Sequence, residues 1–286
     1  MQRPLAIEFN LDNQAIVIDA FDAQEASQSL LQQAVQIIAS GPSITATIFN
    51  EQQLQRATIF VNGSISLLAE HEFTQVVGWV ISDARFISHQ PDIFEQYYTG
   101  QPLYATFSVF EAMAARHPDV ILKYHQVMRA LYSTQHLSDI QTNKPQKPWH
   151  STVNIVQKWR NKKHPLAHLA THPRFVIDAL QKPKPIGVSL DITYGFVEAG
   201  TVAYVAAQLA FSRHAGAIHL YGVDLINSHQ PRFYEHKGDS APCKLDKAIT
   251  NRIVPSFNLL ARIYKAQGVS VINHSPVSKS LFEDFD

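Results

Sequence analysis

A short apolar run, Val35 and Ile37-Ile38-Ala39, passes straight into Ser40-Gly41-Pro42-Ser43. The arrangement recurs downstream, where Ala57-Thr58-Ile59-Phe60-Val61 leads into Asn62-Gly63-Ser64. Brief, continuous apolar runs are what strands buried on both faces look like. Two such strands lying parallel end side by side in loops of backbone N–H groups and small hydroxyls. Open α/β sheets bind nucleotides at that edge. No other feature restricts the possible architecture as much.

The rest of the chain keeps the alternation. Further strand-like runs fall near 76–81, 103–106 and 119–122, and helix-like segments near 23–33, 64–71, 91–98 and 108–116. An alanine-rich helix follows at 199–210, then a strand at 217–222 with Asp224 just beyond it, a helix over 245–266 and a last strand at 269–272. This order predicts a Rossmann-like, doubly wound and mostly parallel sheet. Residues 135–185 break the pattern with Lys144-Pro145-Gln146-Lys147-Pro148, Lys158-Trp159-Arg160-Asn161-Lys162-Lys163-His164-Pro165 and Lys182-Pro183-Lys184-Pro185. They read as a basic, proline-punctuated lid or insertion between 1–134 and 186–286, which together form the main domain.

Composition narrows the function. Lysine plus arginine equals aspartate plus glutamate at 24 each over 286 residues, which argues against a non-specific nucleic-acid binder. The single cysteine, Cys243, allows no internal disulfide and suits a reducing compartment. Met1-Gln2-Arg3-Pro4 opens no signal-peptide pattern, and no apolar run nears the ~20 residues of a bilayer span. The expectation is a cytoplasmic protein. The 14 histidines are scattered, without a His-Glu-x-x-His or Cys-x-x-Cys pair, so neither a dedicated metal site nor a tightly bound cofactor is expected.

Several constellations could carry chemistry. Ser40, Gly41, Pro42 and Ser43 could cradle a phosphate or ribose, or form a plain turn; they match neither a Walker loop nor Gly-x-Gly-x-x-Gly. Asn62, Gly63 and Ser64 offer an amide to a base or ribose edge from the adjacent strand, though Asn-Gly is also a common turn pair. Asp83 ends the third strand, either facing ligand or capping the next helix. Asp191 precedes the alanine-rich helix and Glu198 stands next to its start; both are candidates for a general base. After Asp224, a polar loop holds Arg232, Tyr234, His236 and Lys237, a possible clamp on an anion or a simple surface loop. Asn273-His274-Ser275-Pro276-Val277-Ser278 closes the same edge.

In this order, with Phe94-Glu95-Gln96-Tyr97-Tyr98, Gly200-Thr201-Val202-Ala203-Tyr204, Tyr221-Gly222-Val223-Asp224 and Pro231-Arg232-Phe233-Tyr234-Glu235, the motifs resemble the bacterial CMP-sugar glycosyltransferases. That group includes sialyltransferases using CMP-sialic acid. Within it the chain is most similar to the lipopolysaccharide core enzymes that add a third Kdo, an eight-carbon acidic sugar. The resemblance spans about 35–125 and 187–280. It implies an inverting transfer of Kdo from a CMP donor, a co-substrate held without tightly bound metal, to a lipopolysaccharide core acceptor at the cytoplasmic face of the inner membrane. It also implies a donor site made from the Gly-Pro-Ser loop, Asn62 and the loop after Asp224. Sialyltransferases carry a catalytic histidine just before the corresponding helix, but here no histidine lies between His172 and His214. The base then falls to Asp191, Glu198 or His236. Transfer of sialic acid, a nucleotide-dependent phosphotransferase and a non-catalytic CMP-binding scaffold are the alternatives.

Overall fold

The structure, a computed structural model, describes residues 6–26, 30–135, 165–225, 232–234 and 246–286. An antiparallel hairpin, β1 (Ile7–Leu11) and β2 (Gln14–Ile18), leads through α1 (Ala23–Ala26) into the main sheet. Its strands are β3 (Ala34–Ile38), β4 (Ala57–Val61), β5 (Val76–Ile81), β6 (Leu103–Thr106), β7 (Met128–Leu131), β10 (Ala217–Tyr221) and β11 (Ser270–Asn273). A second hairpin, β8 (Phe175–Asp178) and β9 (Ile186–Ser189), precedes β10. The helices are α2 (Glu51–Leu54), α3 (Arg85–His89), α4 (Pro91–Tyr97), α5 (Phe107–Arg116), α6 (Pro118–Tyr124), α7 (Val202–Ser212), α8 (Asp246–Ala248) and α9 (Val254–Ala266).

The seven main strands are all parallel and lie in the order β11-β10-β3-β4-β5-β6-β7. The chain therefore winds outward from β3 to β7 and then returns to the other side of β3. The direction of winding reverses between β3 and β10. Their connecting loops leave in opposite directions and open a crevice at the carboxyl ends of the two strands. The expected Rossmann-like sheet is the one observed.

Both faces of this sheet are covered, which is why its strands are apolar throughout. Ile37, Ile59, Val80 and Leu220 point into a core shared with α7 and α9, while Ile38, Phe60, Trp79, Ile81 and Tyr221 point into the opposite one. Helix α7 is nearly encircled by protein, and alanines at 203, 206, 207 and 210 bring it close to the sheet. Its direction matters for the site. At its C-terminal end Arg213 donates to the carbonyl of Val77, at the start of β5, and the chain then turns directly into β10. The N-terminus of α7, capped by the Thr201 hydroxyl, therefore lies at the carboxyl edge of the strands.

Three local expectations need correction. Residues 119–122 are helical, within α6, and the strand that follows is Met128–Leu131. Three consecutive apolar residues fit either state; Pro118 at the first helical position and Asp119 in the first turn decide it. The segment 64–71 is a 3-10 run, Asn62–Ala69, starting directly from β4. In 23–33, α1 spans only Ala23–Ala26, and 27–29 lie outside the described residues. The hairpin β1–β2 was not anticipated; Asp12 (φ 49°) and Asn13 (φ 63°) supply its left-handed turn. Hairpin β8–β9 spans the 185/186 boundary, while the basic runs 144–148 and 158–164 lie outside the described residues. Among the described residues no helix is long and apolar enough to cross a membrane.

Candidate active site

The crevice is built by two backbone segments in unusually close approach. Beyond β3 and β10, Ala39 N–H donates to Tyr221 O at 2.9 Å and Gly41 N–H to Gly222 O at 2.8 Å, extending the ladder past both strands. A Cβ at Gly41 would lie 2.5 Å from Gly222 O and 2.6 Å from the Asp224 carboxylate. Gly222 itself has φ +64°, and a Cβ there would meet Ala39 O at 2.5 Å. Only glycine fits at either position. Pro42 then starts a 3-10 turn, Pro42–Ala46, which bends the chain back over the strand end.

Asp224 ties the two loops together. Its carboxylate accepts from Ser43 N–H and from the Ser43 hydroxyl, both at 2.6 Å. Two charge-assisted bonds to one residue hold the Ser40–Ser43 turn in a single conformation.

The neighbouring β4 loop joins the same site. The Ser40 hydroxyl donates to Val61 O at 3.2 Å. Asn62 adopts φ +50°, its carbonyl accepts from the Trp79 indole at 2.7 Å, and its Oδ1 is buried without a hydrogen-bond partner. An unsatisfied amide oxygen beside a crevice costs free energy unless a donor arrives. Ser64, by contrast, is wholly buried. Its Oγ accepts from Val61 N–H at 2.9 Å and lies 2.6 Å from Ile38 O and 3.0 Å from Val61 O, so it pins β3 to β4.

The described part of the loop after β10 crosses this cradle. Phe233 N–H donates to Ser40 O at 3.4 Å, and the Tyr234 ring covers Gly63, where a Cβ would sit 2.2 Å from it. Arg232 is exposed next to them. The structure thus brings together Ser40, Gly41, Pro42, Ser43, Asn62, Gly63, Asp224, Arg232 and Tyr234. His236 and Lys237 lie outside the described residues.

Asp83, at the end of β5, is occupied locally. It accepts from Arg85 N–H and from the Arg85 guanidinium, which holds its carboxyl below the usual range. The helix cap expected as the alternative is not formed: Ala84 stands at the N-cap of α3, without a side-chain bond, and Asp83 makes a local turn with Arg85.

The two carboxylates flanking α7 separate clearly. Asp191 accepts from Thr193 N–H at 3.0 Å and lies 4.0 Å from Arg174. The next N–H, that of Ile192, donates to Ser212 at the C-terminal end of α7. Glu198 lies at the opposite end of α7. Its carbonyl accepts from Arg252 at 2.6 Å, and its carboxylate is 4.0 Å from the same guanidinium. Arg252 belongs to a π-helical turn, Ile249–Ile253, immediately before α9. Such turns recur at functional sites. Sequence reading had no access to Arg252, because a π-turn leaves no periodic signal.

Among the described residues no group of three or more His, Cys, Asp or Glu is placed to hold a metal ion.

The crevice lies where the strand order of a Rossmann-like sheet reverses, the place at which such folds bind ligands. The family model described as 3-deoxy-D-manno-octulosonic acid transferase WaaZ matches residues 161–278. A relative from Escherichia coli (strain K12), named "Probable 3-deoxy-manno-octulosonic acid transferase", is 24% identical over 246 residues, 85% of this chain and 78% of the relative. One of the same name from Salmonella typhimurium (strain LT2) is 23% identical over 229 residues, 79% of this chain and 76% of the relative. The chain is thus similar, over most of its length, to proteins named as probable Kdo transferases, and over 161–278 to the family model of that transferase.

Proposed function

We propose that this protein transfers Kdo from CMP-Kdo to a sugar hydroxyl of the lipopolysaccharide core, with inversion. The observation that carries the reading is the cradle itself: the Ser43–Asp224 tie closes the crevice beside the orphaned Asn62 Oδ1. The cytosine or ribose of the donor supplies the donor group that Asn62 lacks. Arg232, Tyr234 and Lys237 neutralise the phosphate charge as CMP leaves.

Glu198 is the base in this reading, because it is the α7-flanking carboxylate on the crevice edge. It takes the proton of the acceptor hydroxyl as that oxygen attacks the anomeric carbon. The bond from that carbon to the phosphate oxygen breaks, and its electron pair leaves with CMP.

The acceptor is presented at the inner membrane surface. The tip of hairpin β8–β9 supports this. Leu180 is 86% exposed there, beside exposed Lys182 and Lys184. An exposed apolar side chain beside two cations suits an anionic lipid surface. The tip points to the crevice side: β9 runs from Gly187, whose carbonyl accepts from Tyr204 near the start of α7, to Ser189, bonded to Gln208 further along.

A thermal-shift panel of CMP, UDP, GDP and ATP, each with Mg²⁺ and with EDTA instead, tests the proposal. A rise with CMP that survives EDTA, followed by release of CMP from CMP-Kdo with a core acceptor, is the expected result. A rise confined to ATP with Mg²⁺ would instead indicate a phosphotransferase.

A further inference from the structure

The terminal Asn273–Ser278 segment has no place in the site as described so far, yet its bonds converge on the residue next to Asp224. The Ser275 hydroxyl accepts from Val223 N–H at 2.7 Å. The Ser278 hydroxyl donates to Val223 O, and Asn273 Nδ2 in turn donates to Ser278 Oγ at 3.1 Å. Asn273 Oδ1 accepts from Ser275 N–H at 3.1 Å, which closes the loop on itself. His274 N–H donates to Leu220 O at 2.8 Å, and its ring stacks on Tyr221 at 4.4 Å. Asn273, Ser275 and Ser278 are all buried.

We propose that Asn273, Ser275 and Ser278 are positioning residues of the crevice: by gripping both backbone polar groups of Val223 they aim the Asp224 carboxylate at Ser43. The geometry requires such a grip. Gly222 sits in the left-handed region, and only one residue, Val223, separates it from Asp224. A glycine so close to the carboxylate leaves it mobile unless the intervening peptides are fixed; Gly41 N–H holds the Gly222 carbonyl, and the tail holds the other side of that peptide and the next carbonyl. The tail supplies a donor for Val223 O and an acceptor for Val223 N–H, with Asn273 orienting both serines. No ligand atom touches these residues in this scheme; they act through Asp224. The proposal takes the crevice as the ligand site, as in the function proposed above.

Hydrogen–deuterium exchange on the full chain tests it without any ligand. Ser275→Ala and Ser278→Ala should each speed exchange of segment 40–47 by roughly 3- to 10-fold, the factor that one lost hydrogen bond supports. Ser212→Ala is the control: a buried serine whose hydroxyl accepts from Ile192 N–H at the C-terminal end of α7 and makes no bond to the Val223 backbone. It should lower the melting temperature comparably and leave 40–47 unchanged. Asn273→Ser serves if an alanine variant does not fold, with the same direction expected. Unchanged exchange at 40–47 in the tail variants, or an equal rise in Ser212→Ala, overturns the proposal. A CMP titration of the same proteins reads the ligand separately. Affinity should fall by the same factor in the tail variants alone. If the unmodified protein binds no CMP, the donor assignment fails, while the exchange result still decides the positioning role.

Discussion

Replacing Asp224 should loosen the crevice by an amount that the structure sets. The carboxylate accepts two hydrogen bonds at 2.6 Å, both from Ser43. A charge-assisted bond contributes about 1.5–3 kcal/mol net when buried, and less where water can take its place. Asp224 is only half-buried, so about 2–3 kcal/mol for the pair together is the appropriate figure. Asp224→Ala should therefore cost about that much. Asp224→Asn, which keeps one acceptor and loses the charge, should cost about half. At roughly 2 °C per kcal/mol for a chain of this size, the alanine variant should melt about 4–6 °C lower. The bond of the Ser43 hydroxyl is separable from that of its N–H, because Ser43→Ala removes only the former. A double-mutant cycle of Ser43→Ala with Asp224→Ala, read by urea unfolding, should give a coupling of about 1–2 kcal/mol. Strict additivity of the two substitutions would refute the tie between the loops. So would equal costs for Asp224→Asn and Asp224→Ala.

The remaining predictions concern charge, sealing and catalysis. His219 Nδ1 lies 2.8 Å from His274 Nε2, and burial together with Arg56 pushes His219 down to about 4 and lowers His274. A histidine with a depressed folded value takes up protons on unfolding, so stability present above pH 6.5 is lost as pH falls toward 4. Discounted for partial exposure, the loss should be about 1–2 kcal/mol, seen as a falling urea midpoint that His219→Asn flattens. Gly63→Ala should expel the Tyr234 ring, raising exchange or fluorescence quenching of the loop while the melting temperature falls by less than about 3 °C. Turnover of CMP-Kdo should fall at least about 100-fold in Glu198→Gln with donor affinity retained. Asp191→Asn should stay within about threefold of the unmodified enzyme, the range of a surface change of ~0.5 kcal/mol; the reverse pattern would make Asp191 the base.

The legible part of this protein was what depends on neighbours in sequence. Runs such as Val35-Gln36-Ile37-Ile38-Ala39 and Ala57-Thr58-Ile59-Phe60-Val61 read as strands buried on both faces, and the small-residue turns directly after them as the loops at a sheet edge. From these the Rossmann-like class follows, and so does the cluster of Ser40–Ser43, Asn62, Gly63 and Asp224, all strand-end residues. Local state was less legible where apolar runs were short: Val120-Ile121-Leu122 is helical because Pro118 starts a helix there. Function at the level of residues needed the tertiary structure. Asp191 and Glu198 are near in sequence, but the chain between them runs back along α7, so Ile192, next to Asp191, bonds Ser212 at the C-terminal end of that helix, while Glu198 meets Arg252 near its start. Ser64 looked like a ligand-facing hydroxyl beside Asn62, but the 3-10 turn points it into the core, where it bonds the backbone. The grip of Ser275 and Ser278 on Val223 joins residues about fifty positions apart, a separation that no local pattern encodes. Sequence by itself determined which segments are buried and where strands stop, because hydrophobic periodicity and turn chemistry are local. Only the tertiary structure decided which strand ends meet and which side chains face the crevice, because strand order and helix direction are settled by packing between distant segments.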